Sequence, residues 1–216
     1  MGRKIILPLR IHVELEELPA TDVELPAVNV PAYVTPRPTA PGSQPPASVP
    51  PVASSLYLVD LAGRLPTAPE NAPVPATALK SSLTVHWLGG DFSRTASDDE
   101  ARARLEAIAR DHIARDWGNG QGGSGIMYHE AIAPSGTVFV LRDYTEVVWH
   151  AGSEDGNLHS RAVLVLCGPS TPATPAQLSA LRRRFQDFGV RVYGHREWSA
   201  TQCPGDQLME VVLSAR

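Results

Sequence analysis

Residues 161–167 read Arg161-Ala162-Val163-Leu164-Val165-Leu166-Cys167, RAVLVLC, a nearly continuous apolar run. A strand with no polar face is one buried on both sides, so this segment predicts the middle of a covered sheet. Downstream, Thr174-Pro175-Ala176-Gln177 is a capping box with proline at the first helical position. Leu178, Leu181, Phe185 and Phe188 then form an apolar stripe, and Gly189 ends the helix. VRVY (190–193) reads as a short final strand.

The same alternation holds upstream. SLTVHWL (82–88) is a strand with Leu83, Val85 and Trp87 on one side and Thr84, His86 and Leu88 on the other. Ser97-Asp98-Asp99-Glu100 starts a helix with acidic residues where the dipole favours them. Leu105, Ile108, Ala109 and Ile113 mark its buried face, and it ends near Trp117-Gly118. IMYHEAIA (126–133), the turn Pro134-Ser135-Gly136 and TVFVLR (137–142) predict a hairpin. Strands alternating with helices give the α/β class: a central mixed β-sheet flanked on both faces by helices.

Composition divides the chain. Of its 20 prolines, 15 lie in residues 1–80, whereas all 4 tryptophans and all 4 phenylalanines lie after them. Large aromatics dominate core burial, so the packed domain is expected over 81–216. Residues 1–34 alternate weakly and predict an extended, β-like N-terminal arm, a tether that docks to a particle or partner protein. Residues 35–80 predict a Pro-rich linker containing one short strand within 55–66. A net charge of −4 advertises no surface for nucleic acid. No stretch approaches the roughly 20 apolar residues of a membrane helix, so no membrane insertion is expected. Ile5-Ile6-Leu7 is cut short by Pro8 and Arg10, and no signal peptide is read there.

Three candidate ligands fall at strand ends. His86 sits on the first strand of the packed half, His195 follows the last, and Cys203 lies in the loop after it. A catalytic zinc takes three protein ligands of this kind and lowers the pKa of the water it holds to about 7. On spacing alone, a solvated histidine and an idle thiol read equally well, and a Cys167–Cys203 disulfide is the third alternative. Cys167 also reads as a small buried strand residue. Gly118, Gly120 and Gly123 fit G-x-G-x-x-G, but they follow a helix rather than a strand, so a loop is expected. His129-Glu130 lacks the second histidine of a zincin helix because Ala133 stands in its place. His12, His112 and His159 are expected to be solvated.

TVHWLGG, GIMYHEAIAPSGTVFVLR, VVWHAGSEDGN, AVLVLCG, TPAQLSALRRRF, YGHREW and TQCPG occur in that order. Together they resemble the zinc-dependent N-acetylmuramoyl-L-alanine amidases, the group shared by phage lysozyme-type amidases and peptidoglycan recognition proteins. The resemblance covers about residues 81–206. It implies that His86, His195 and Cys203 hold Zn2+, with Pro204-Gly205 turning the chain so that the thiolate can reach. It implies catalytic roles for Tyr128 and Thr201; phage-type members often carry lysine at the latter position, and recognition-protein members threonine. His150, Trp149 and Asn157 are implied to line the substrate groove, and His129 is left structural. Some relatives carry a glutamate where this chain has Val163 and Val165, so no carboxylate base is expected from that strand. The implied reaction is hydrolysis of the amide between N-acetylmuramic acid and L-alanine in bacterial peptidoglycan. The alternative is a recognition module that binds peptidoglycan without cutting it. A phage endolysin held in the host cytoplasm until release, or a lysin carried on the particle, is the expected setting.

Overall fold

The computed structural model describes residues 57–72, 76–118 and 120–216. The arm expected over 1–34 and residues 35–56 of the linker expected over 35–80 lie outside the described residues. The strands are β1 (Leu58–Asp60), β2 (Ser82–Trp87), β3 (Glu130–Ile132), β4 (Val138–Val140), β5 (Ser160–Val165) and β6 (Arg191–Gly194). The helices are α1 (Asp98–Ala114), α2 (Glu154–His159), α3 (Pro175–Phe188) and α4 (Asp206–Leu213). The sheet order is β1-β4-β3-β5-β2-β6. Within this sheet the β3–β4 hairpin is antiparallel and the other strand pairings are parallel.

Both faces of the sheet are covered, as RAVLVLC requires. Val163 and Val165 join Leu83, Val85 and Val192 under α3 and α4. Leu164 and Leu166 join Ala131, Phe139 and Leu141 under α1. Ser97 and Thr174 form the two expected capping boxes, and Gly189 closes α3 in the left-handed region at φ 57°. α3 buries two polar residues that its apolar stripe does not announce. Gln177 donates to the carbonyls of Ile132 and Leu166 and so ties β3 to β5. Arg184 meets the fully buried Glu130, which also accepts a hydrogen bond from Tyr144 at 2.6 Å.

Three expectations are corrected. The short strand within 55–66 is present as β1, but it belongs to the sheet: it pairs with β4, and Leu61 and Leu65 enter the core with α1. Packing therefore begins N-terminal to the expected boundary at 81, because a parallel edge strand supplies apolar cover that composition alone does not mark. The hairpin strands are shorter than the apolar runs that announced them: β3 begins at Glu130, and Met127 and Tyr128 before it pack with Val148, Ala162, Trp117 and Trp149. His112 is buried rather than solvated and takes the inward position expected of Ile113. α2 and α4 carry too few residues to show a clear helical period.

His112 and His129 are held alike. The Nδ1 of His112 accepts from the Met127 N–H at 3.0 Å, and the Nδ1 of His129 accepts from the Ala162 N–H at 2.9 Å. Burial first, then the Arg115 charge, lowers the His112 pKa from 6.5 to about 4. Burial is also the main reason that His129 falls to about 3. A proton on either Nδ1 would remove the acceptor that fixes the segment.

The C-terminal loop depends on one glycine. Gly205 has φ 82°, and a Cβ there would lie 2.5 Å from the Trp87 ring. Gly205→Ala therefore faces both a left-handed backbone and a clash, and is expected to cost about 2–4 kcal/mol in urea unfolding. For the histidines, the folded pKa lies below the unfolded value, so the unfolded chain binds more protons below pH 6.5. Stability is thus complete above that pH and declines as pH falls through the folded values. His112→Asn, whose Oδ1 can replace the Nδ1 acceptor, should flatten that decline. The expected difference at pH 4 is on the order of 3 kcal/mol, read by denaturant titration with excess chelator.

Candidate active site

β2 lies between β5 and β6, so its C-terminal end meets the turns that follow both neighbours. His86 is on the face opposite Leu83 and Val85, in register with Leu164, and is 1% exposed. His195 directly follows β6 and opens a short 3-10 turn. The Arg196 N–H donates to the Cys203 carbonyl at 2.8 Å, which folds the loop back and returns Cys203 to His195. The Trp198 indole N–H donates to Thr84 Oγ1 at 2.8 Å, and that oxygen lies 2.6 Å from Ser160 Oγ. The loop is thereby fastened to β2 and β5 through buried polar groups.

Among the described residues, His86, His195 and Cys203 form the group suited to a metal, with donor atoms all within 4.8 Å of one another. Cys203 Sγ lies 3.8 Å from His86 Nδ1. Tetrahedral bonds of zinc length place a sulfur and a nitrogen ligand about 3.6 Å apart, so this spacing fits. Both cysteines are free thiols, which removes the disulfide alternative. Burial is the largest cause holding His86 well below the ordinary imidazole pKa, followed by His150 and His195. Burial likewise lowers His195. Both rings are thus neutral, as ligands must be. Burial raises the Cys203 thiol to about 12, opposed by the Trp87 N–H and Arg196. A cation at this point would reverse that preference and draw out the thiolate. The donor set fits zinc.

The Tyr128 ring stands 5.2 Å from that of His86, measured between centroids. Burial first, and then Cys203, raises its phenol above the usual range, so the hydroxyl is a donor at neutral pH. His129 turns away to its two backbone partners, as neighbours on extended chain do. Val163 and Val165 are fully buried and, as expected, leave that strand without a carboxylate.

A cleft of about 610 Å³ is lined by Trp117, Trp149, His150, Asn157, His195 and Ser199, among others. Trp149, His150 and Asn157 therefore all reach it. Two of them are engaged elsewhere as well. Asn157 Oδ1 accepts from the N–H groups of His150 and Ala151 at 2.9 and 2.8 Å. His150 Nδ1 lies 3.0 Å from His86 Nε2. Thr201 stands apart from this cleft. It is exposed, its Oγ1 accepts from the Cys203 N–H at 3.2 Å, and it lines a different cavity of about 600 Å³ with Trp87, Cys167 and Arg196. Its hydroxyl shapes the turn that carries the thiol.

Four contributors escaped the sequence reading. Ser199 Oγ lies 3.1 Å from His195 Nε2, and its signal was its place four residues after that histidine. Trp117 meets Trp149 across the cleft at 6.3 Å between centroids. The His112 ring stands 5.6 Å from that of Tyr128. Buried Lys80 donates to the carbonyls of Asn157 and Leu158 at the end of α2. The last three depend on contacts distant in sequence and had no local signal.

Comparison with known proteins agrees with this geometry. The family model described as N-acetylmuramoyl-L-alanine amidase matches residues 78–206. No curated protein sequence matches. Among solved structures, Drosophila PGRP-LB is 18% identical, with 74% of this chain and 94% of that chain covered and a TM-score of 0.58. Peptidoglycan recognition protein-LE is 17% identical over 73% of this chain and 93% of that chain, also with a TM-score of 0.58. At such identity these likenesses speak to fold alone, and they agree with the mixed sheet described above. The family match spans more than half of the sequence and includes His86, Tyr128, His195 and Cys203: the chain belongs to the N-acetylmuramoyl-L-alanine amidase family.

Proposed function

We propose that this protein is a zinc hydrolase that cleaves the amide bond between N-acetylmuramic acid and L-alanine in bacterial peptidoglycan. The observation that carries the reading is the meeting of His86, His195 and Cys203 within 4.8 Å, with His195 also lining the cleft. Family membership supports the reaction class. PGRP-LE, which shares the fold, was solved with tracheal cytotoxin, a monomeric diaminopimelic acid-type peptidoglycan.

His86, His195 and Cys203 would hold the ion. When bound, zinc supplies Lewis acidity that polarises an amide carbonyl and makes water a nucleophile at neutral pH. The chain's own groups do the rest. Trp117 and Trp149 offer aromatic faces to the ligand. Tyr128 keeps its proton and donates a hydrogen bond to negative charge as it develops on the carbonyl oxygen. Thr201 acts through the backbone of Cys203 rather than on the substrate. Ser199 holds the His195 ring in place.

Elemental analysis should find about one zinc per wild-type chain, as a three-ligand site requires. Cys203→Ser should lose zinc and, with it, release of L-alanine-headed peptides from purified peptidoglycan. Tyr128→Phe should keep zinc while kcat falls about 10²-fold or more. A wild-type chain that sediments with peptidoglycan, holds no zinc and releases no peptide would instead be a recognition module, and the hydrolase reading would be wrong.

A further inference from the structure

The two nitrogens of His86 face different partners. Nδ1 is turned toward Cys203 Sγ at 3.8 Å, and Nε2 toward His150 Nδ1 at 3.0 Å. A single proton can sit between two neutral ring nitrogens at that distance. A lone pair on the Cys203 side of His86 requires its proton on Nε2, and the proton shared with His150 then belongs to His86.

We propose that His150 is a positioning residue that accepts the His86 Nε2 proton, fixes the His86 tautomer and holds its Nδ1 toward the metal. The inference rests on the zinc reading given above. The proton of His150 itself is then on Nε2. That atom is buried, without a hydrogen bond of full geometry among the described residues. His150 is not a fourth ligand, because its Nδ1 faces the His86 nitrogen turned away from Cys203. A neutral imidazole replaces the carboxylate or carbonyl that more often accepts from a metal-bound histidine.

The residue is itself braced from several elements. Its backbone N–H and that of Ala151 converge on Asn157 Oδ1. Asn157 belongs to α2, whose terminal carbonyls are bound by buried Lys80 just before β2 begins. The ring stands perpendicular to His86, with an interplanar angle of 82°. A side chain fixed this firmly on its backbone and aimed at one ligand nitrogen is suited to orienting that ligand.

The test is zinc affinity of the full chain by competition with a chromophoric chelator, for wild type, His150→Phe and His150→Asn. Phenylalanine keeps a ring but removes the acceptor. Asparagine places Oδ1 where Nδ1 stood. His150→Phe should bind zinc about 10- to 100-fold more weakly, and His150→Asn should recover most of that loss. Melting in excess chelator should be the same for all three. Equal affinity for wild type and His150→Phe would overturn the inference while leaving the zinc reading intact. So would equal weakening of both variants, since the acceptor would then not matter. A wild-type chain that takes up no zinc overturns the parent reading and this inference together.

Discussion

Strand β2 is the constraint on which the rest depends. Paired in parallel on both edges, it cannot shift without breaking two ladders. One of its faces is locked under α3 and α4 by Leu83 and Val85. The other face can then carry polar work at no cost in register, because side chains alternate along the strand. Thr84 anchors Trp198, and His86 supplies the first candidate ligand. The backbone of Trp87 donates to Cys203 Sγ at 3.4 Å, and its ring sits where a Cβ on residue 205 would go. One strand thereby sets both the position of a histidine and the path of the loop that brings the thiol to it.

The site is assembled from groups that burial keeps uncharged. Neutral imidazoles and a protonated thiol are stable in such surroundings until a cation arrives. The charges of the region are placed differently. Glu130 and Arg184 satisfy each other under α3, and Lys80 is bound to helix carbonyls. An uncharged pocket with convergent lone pairs favours a divalent ion without competing carboxylates, which suits a borderline-soft metal.

The same economy appears in the loops. The described residues within 115–129 are mostly without regular structure, yet they are fixed at several points. Asp116 accepts from the Gly118 and Gly120 N–H groups, His112 accepts from Met127, and the Trp117 indole donates to the His112 carbonyl at 3.0 Å. Tyr128 follows directly. Backbone groups that a strand would have paired are satisfied here by side chains, as burial requires. The phenol is thus held near His86 by contacts that lie outside the site.

The sequence by itself determined the α/β alternation, both capping boxes, the buried central strand and the placing of His86 on the strand face opposite Leu83 and Val85. These are local properties: period, cap chemistry and composition act over a few residues. The ordered motifs around Tyr128, His195 and Cys203 also pointed to the family that the comparison found. Tertiary structure alone decided that β1 completes the sheet, that His112 is buried, that Thr201 lines a cavity apart from the cleft, and that His150 meets His86. Each of those depends on segments tens of residues apart being brought together. A histidine reads the same in sequence whether it faces solvent, substrate or another histidine; only packing decides which of its nitrogens has a partner.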